Sequence, residues 1–232
     1  MGFRLRRSKA SMDFWEPGAY TATRVYHRID YAGIENIPSR GPALIVPKHQ
    51  KYMDIVLEGM LLKRYCGRYG NWIMRDKIPL PQRLLYDLGG IIILRPQDIR
   101  KRARKIKNKK KRTEFLEEAK QKNADAFAYV EWLFQRGEVV VAHLEGTRTP
   151  GGVGPLESRM FGFISDTEEK YNINIPIIPV GIEYKGFWMP FSEIYVKVGE
   201  PLSADTENLA GLVREEIAKL SNNLPLIDKS PE

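Results

Sequence analysis

His49 and Asp54, in the run Pro47-Lys-His-Gln-Lys-Tyr-Met-Asp54, are the first residues whose types and spacing carry chemistry. In a continuous helix, residues five apart lie about 140° from one another around the axis, since each residue advances about 100°. If His49 instead precedes the helix, at a strand-to-helix junction, the Asp54 carboxylate reaches back to its Nδ1. The aspartate then sets the imidazole tautomer and steadies the charged ring, leaving Nε2 to take a proton. This is a hydrolase triad without its nucleophile, so the attacking hydroxyl has to come from a substrate. His27 and His143 have no carboxylate at that spacing and read as structural.

Three further segments bear on the same chemistry. Leu144-Glu-Gly-Thr-Arg148 opens a buried strand into a glycine turn. The N–H of Gly146 or Thr147 there can meet an anion, and Arg148 offers a planar fork suited to phosphate. The plainer alternative is a structural loop held by a Glu–Arg pair. Gly89-Gly-Ile-Ile-Ile-Leu-Arg95 ends a strand on an arginine. Ile175-Pro-Ile-Ile-Pro-Val180 is an apolar strand whose prolines imply an edge position or irregular pairing.

The elements that must position these residues alternate between strand and helix. Strands are predicted at Arg24 to Tyr31, 43–47, 72–74, 91–94, 139–143, 177–184 and 194–198. Helices are predicted over 54–65, a short stretch around Leu84, Leu85 and Leu88, 113–135, 158–171 and from Asp205 to near Asn222. This pattern predicts an α/β fold, a single layered domain with a mostly buried mixed sheet flanked by helices. Residues 1–20 form a short amphipathic segment with Met12, Phe14, Trp15 and Tyr20, suited to a membrane surface or to folding back on the core; residues 21–225 form the domain. The apolar loop Gly186-Phe-Trp-Met-Pro-Phe191 stands where a polar turn is expected, and fits lipid, an acyl pocket or core packing.

Composition sets the outer limits. With 232 residues, 43% hydrophobic and 28% charged, the chain is neither disordered, collagen-like nor coiled coil. A single cysteine, Cys66, builds no disulfide framework and no cysteine-rich metal site, which fits a reducing compartment. No apolar run approaches the roughly 18 to 20 residues that span a bilayer, and the basic start lacks the apolar core of an export signal. The net charge of +8 is local. Arg100 to Arg112 holds ten Lys/Arg and no acid, leaving 27 bases against 29 acids elsewhere. A near-neutral body with one cationic strip fits an anionic lipid surface, an acidic carrier protein or a polynucleotide, or is simply a solvated loop or helix extension. It lacks the interleaved aromatics of a single-strand nucleic-acid platform, so no nucleic acid is expected.

Together and in order, the four segments resemble the glycerolipid acyltransferase superfamily, and within it the 1-acylglycerol-3-phosphate (lysophosphatidic acid) acyltransferases. The resemblance spans Gly41 to Gly181. The family's Asn-His-x4-Asp motif matches at His49 and Asp54, with Lys48 in place of Asn. Its glycine-led strand ending in arginine matches Gly89 to Arg95, with Leu94 where Asp is common. Its Phe-Pro-Glu-Gly-Thr-Arg motif is intact at Glu145, Gly146, Thr147 and Arg148, while His143 and Leu144 replace Phe-Pro. Ile175 to Val180 matches the fourth. In place of a Lys-Lys-Gly-like stretch stands Glu157-Ser-Arg159-Met, where only Arg159 can substitute. Bacterial members of the family tend to have longer hydrophobic N-terminal anchors than the twenty residues that precede this domain.

The resemblance implies acyl transfer from acyl-CoA or acyl carrier protein to a lipid hydroxyl in phospholipid synthesis, without a metal or a bound organic cofactor. It implies His49 as general base oriented by Asp54, with Arg95, Glu145, Gly146, Thr147, Arg148 and Arg159 on the substrate side. The implied acceptor is 1-acylglycerol-3-phosphate, with glycerol-3-phosphate or a lyso-aminolipid behind it. A thioesterase and a nonenzymatic lipid- or nucleic-acid-binding protein are the rival classes. The implied location is cytoplasmic, peripheral to the inner face of a membrane.

Overall fold

The computed structural model describes residues 6–76, 78 and 80–228. Seven strands form one sheet: β1 (His27–Ala32), β2 (Ala43–Pro47), β3 (Gly70–Arg75), β4 (Gly90–Ile93), β5 (Val139–Ala142), β6 (Ile177–Lys185) and β7 (Ser192–Val198). Their order is β1-β7-β6-β2-β5-β3-β4. Strands β2 to β6 pair in parallel, β7 runs antiparallel to β6, and β1 lies parallel to β7 at the edge. Every residue of β2 and β5 is buried, as expected of central strands with both faces covered.

Because successive side chains point to opposite faces, the sheet feeds two cores. Leu44, Val46, Val140 and Ala142 pack with Leu133, Phe134, Ile164, Val213 and Ile217 of three helices, α5 (Lys109–Gln135), α6 (Arg159–Tyr171) and α7 (Leu209–Leu220). Ala43, Ile45, Val139 and Val141 pack instead with Leu57 and Met60 of α2 (Met53–Met60), which continues into a π-helical turn at Leu61–Tyr65. Helices α1 (Lys9–Tyr26), α3 (Gln82–Asp87) and α4 (Pro96–Lys105) are the other α-helices among the described residues. The parallel strands deliver their carboxyl ends to one side, where β2 leads to His49, β4 to Arg95 and β5 to His143. Open α/β sheets bind ligands at that side.

Several predicted features sit differently. Helix α1 runs through residue 20 and turns Arg24 to Tyr26 helical, so the first strand starts at His27. The proline-bearing β6 is central rather than at an edge. It tolerates Pro179 because that residue lies just past the last β6–β7 pair, Val180 opposite Val198, where its carbonyl accepts the Gly199 N–H at 2.9 Å. The cationic strip is helical on both sides of a break. It covers the second half of α4 and the first turn of α5, whose N-cap Asn108 accepts the Lys111 N–H at 3.1 Å. The last helix starts at Leu209, after Asn208 in a left-handed conformation, rather than at Asp205.

Candidate active site

His49 leaves the sheet just after β2, and Asp54 sits in the first turn of α2. His49 Nδ1 lies 3.2 Å from Asp54 Oδ2, the reach-back geometry expected from their spacing. The same carboxylate oxygen accepts the N–H groups of Gln50 (2.6 Å) and Lys51 (2.7 Å), while Oδ1 accepts the Tyr184 hydroxyl at 2.6 Å. Burial pushes the Asp54 carboxyl upward, but these donors together hold it below the ordinary carboxylate range. Asp54 is therefore ionised and His49 carries its proton on Nδ1. Burial drives His49 below the ordinary histidine value; the Asp54 bond opposes this and the neighbouring His143 adds to it. The outcome is a neutral imidazole, 20% exposed, whose Nε2 has no partner among the described residues.

His143, expected to be structural, is instead part of this cluster. Its ring lies 4.1 Å from that of His49, and its Nε2 is 2.8 Å from Glu58 Oε1. Glu58, one turn along α2 from Asp54, also accepts the Trp72 indole N–H at 2.8 Å. Burial by itself lowers the His143 pKa, but the Glu58 carboxylate overrides this and raises it above the ordinary value. A histidine whose charged form Glu58 favours thus backs one whose neutral form burial favours. The reading of residues five apart missed it because Glu58 and His143 are 85 positions apart and meet only through packing of α2 on the sheet. His49, Asp54 and His143 lie close enough to be weighed as metal ligands. Asp54 already accepts four hydrogen bonds and His143 Nε2 is taken by Glu58, so the donor set suits proton transfer better than a cation.

Glu145 is expected on the substrate side, yet its carboxylate is buried and its oxygens are committed inside the protein. Oε1 accepts from the His49 N–H (2.9 Å) and Lys48 Nζ (2.8 Å); Oε2 accepts from Lys48 Nζ (2.9 Å) and the Gly154 N–H (3.0 Å). Lys48, fully buried, also donates to the carbonyls of Thr149 (2.7 Å) and His49 (3.2 Å). The Thr149 N–H in turn donates to the His49 carbonyl. This Lys48–Glu145 pair fastens the loop after β5 to the loop after β2 and so fixes the His49 backbone. Lys48 is the residue that departs from the family motif, and its role depends on a partner 97 positions away.

The remaining candidates divide. Gly146 adopts φ +71°, a left-handed turn that glycine takes without strain, and its carbonyl accepts Arg95 Nη1 at 2.8 Å. Arg95 also meets Asp98 at 3.2 Å, so much of its fork is spent holding the turn. Thr147 Oγ1 is buried and has no hydrogen-bond partner among the described residues. Arg148 is exposed, lies over the Tyr52 ring at 3.9 Å and donates to its hydroxyl at 3.2 Å. Among the described residues Arg159 is not joined to this group by a hydrogen bond; at the exposed start of α6 it makes a two-point pair with Glu157 at 2.8 Å. His27 is structural as expected, its Nδ1 2.6 Å from the Ser192 hydroxyl. A cavity of about 460 Å³ beside β4, lined by Leu85, Ile92, Phe115 and Ala126 among others, includes neither His49 nor Asp54. Among the described residues no helix is long and apolar enough to cross a membrane.

Comparison with known proteins agrees with this geometry. Comparison with curated proteins gives no match. Among solved structures the chain is similar to the 1-acyl-sn-glycerophosphate (LPA) acyltransferase PlsC from Thermotoga maritima, with 20% identity over 92% of this chain and 79% of that one and a TM-score of 0.59, a likeness of fold. The family model described as Acyltransferase matches residues 28–183, a span that runs from β1 to β6 and contains His49, Asp54, Arg95 and the Glu145–Arg148 turn. The chain therefore belongs to the Acyltransferase family.

Proposed function

We propose that this enzyme moves a fatty acyl group from a thioester donor, acyl-CoA or acyl carrier protein, to the hydroxyl of a lysophospholipid, with 1-acylglycerol-3-phosphate as the preferred acceptor, at the cytoplasmic face of a membrane. The observation that carries this reading is the partly exposed His49 imidazole, held below the ordinary histidine pKa and oriented by Asp54 next to a turn that presents the exposed Arg148. His49 Nε2 takes the acceptor hydroxyl proton as its oxygen attacks the thioester carbonyl. The C–O bond forms, the tetrahedral intermediate collapses with cleavage of the C–S bond, and the thiolate recovers the proton from His49. Asp54 stays ionised and steadies the imidazolium between the two transfers. The thioester supplies the leaving group and His49 the base, so these steps call on no organic cofactor. Arg148 holds the acceptor phosphate, while Arg95, Lys48 and Glu145 hold the loops that carry it. The test is an acceptor panel with labelled acyl-CoA and acyl carrier protein, scored by product identity; thioester hydrolysis without transfer to any lysolipid would instead make the protein a thioesterase.

Two expected results follow from this geometry. Arg148→Ala should raise KM for a phosphorylated acceptor about tenfold or more, since a charge-assisted contact is lost, and change KM for a neutral lysolipid analogue little. Equal effects on both would make Arg148 structural. His143→Phe, which restores the residue usual in the family motif, removes a positive charge stacked 4.1 Å from His49. Losing a like charge favours protonation of His49, so the acid limb of the kcat/KM pH profile should move to higher pH by on the order of one unit. An unmoved limb would reduce His143 to a packing role.

A further inference from the structure

Helix α1 presents an apolar stripe to solvent. Phe14 and Trp15 are 75% and 54% exposed, Val25 and Tyr26 69% and 42%. Phe14 and Val25 are eleven residues apart, as are Trp15 and Tyr26, which places each pair within about 20° around the axis and spreads the stripe over about 18 Å. The charges of α1 are engaged elsewhere. Asp13 pairs with Lys63, Glu16 pairs with Arg64, Arg24 donates to the Ile29 carbonyl and Lys9 lies over the Tyr69 ring.

The stripe continues past the helix. The Tyr26 hydroxyl donates to the Trp188 carbonyl (2.9 Å) and the Phe191 N–H to the Tyr26 carbonyl (2.7 Å), so the loop 186–191 is held against the end of α1. That loop exposes Trp188 (81%), Met189 (66%) and Phe191 (67%). Phe187 anchors it, stacked 5.2 Å from His27 and edge-on to Tyr184, the tyrosine bonded to Asp54. Lys51, whose N–H donates to Asp54, lies 4.6 Å from the Phe187 ring and 5.8 Å from that of Trp188. The apolar surface thus borders the active-site loop, with Lys51 at the boundary; exposed Lys185, 3.9 Å from Glu183 Oε1, precedes the loop.

Seven large apolar side chains exposed on one continuous surface are unusual for a soluble monomer. Aromatics beside flanking cations match the boundary between acyl chains and anionic headgroups. We propose that α1 and the loop 186–191 form a single membrane-docking surface, with Trp188, Met189 and Phe191 entering the acyl-chain layer and the His49 site held at headgroup level. This deepens the lipid-acceptor reading by naming the face that meets the membrane, and its test needs no acyl transfer.

The test is co-sedimentation of the full chain with phosphatidylcholine–phosphatidylglycerol vesicles, without donor or acceptor. Trp188→Ser combined with Met189→Ser and Phe191→Asn removes the loop's apolar groups; asparagine tolerates the φ of +61° at position 191. A separate variant carries Phe14→Ser and Trp15→Ser. Both change exposed side chains and should keep the wild-type circular dichroism and melting temperature. Each is expected to weaken partitioning at least about tenfold, at low and high salt alike. Replacing Lys107, Lys109, Lys110 and Lys111 with Gln should weaken it only at low salt. Lipids brominated on their acyl chains should quench wild-type tryptophan fluorescence, and quench a Trp15→Phe, Trp188→Phe protein less while it still binds. Wild-type partitioning by the loop variant, loss only in the lysine variant, or a change in self-association with vesicle binding intact would overturn the proposal, the last result assigning the surface to a second copy of the chain.

Discussion

Replacing His49 with alanine is expected to lower kcat by about two to four orders of magnitude, the usual cost of losing a general base, while leaving the fold in place. The ring is partly exposed and its neighbours keep their own partners: Asp54 retains the Gln50, Lys51 and Tyr184 donors, and His143 retains Glu58. Asp54→Asn should follow in the same direction. The Gln50 and Lys51 N–H groups keep the amide oxygen facing Nδ1, but without its charge the side chain no longer steadies the imidazolium that forms during transfer. Asp54 also organises the first turn of α2, so its variant is expected to lose some thermal stability as well, and His49→Ala is the cleaner measurement. Steady-state transfer to 1-acylglycerol-3-phosphate with a matched circular dichroism spectrum checks both. Near-normal turnover by a folded His49→Ala protein would end the mechanism.

The second large effect is on stability. Lys48→Met leaves the Glu145 carboxylate buried and without its counter-ion, a loss that typically costs about 3 to 5 kcal/mol. Burial holds the Lys48 pKa below the ordinary lysine value although the Glu145 charge opposes this, so the lysine depends on its partner as much as the reverse. Lys48→Met with Glu145→Gln removes both charges and should recover much of the loss, because the amide oxygen can still accept one of the backbone N–H groups of His49 and Gly154. Urea denaturation of the two single variants and the double variant measures this coupling. Single variants as stable as wild type would show that the loops after β2 and β5 are fixed without the pair. Activity should fall in the single variants too, since the pair holds the His49 backbone.

The proposed acid–base centre combines a local part with a distant one. His49 and Asp54 lie five residues apart across a strand-to-helix junction, and a side chain in the first turn of a helix reaches back over that distance whatever the rest of the molecule does. Their meeting was legible for that reason, as were the buried strands at 43–47 and 139–142, where unbroken apolar runs leave few other structures. The Glu-Gly-Thr-Arg turn was legible from its glycine. These local patterns carried the α/β class, the family resemblance and the candidate base.

Tertiary structure decided what those residues have as neighbours. Glu58 meets His143, Lys48 meets Glu145 and Tyr184 meets Asp54 across separations of 85, 97 and 130 positions, and each pairing depends on strand order. Strand order is set by which faces can bury most apolar area together, a property of the whole sheet and not of any window of sequence. The same cause placed β6 at the centre despite its proline, since the backbone donor Pro179 lacks falls where β7 has ended. It also turned Arg95 toward Gly146 and left Arg159 on Glu157, so two arginines alike in type hold different places. Residue type and spacing determined which groups this protein has for proton transfer; the packing of α2 and the loop after β5 against the sheet determined their charges, their partners and which of them stay open to a substrate.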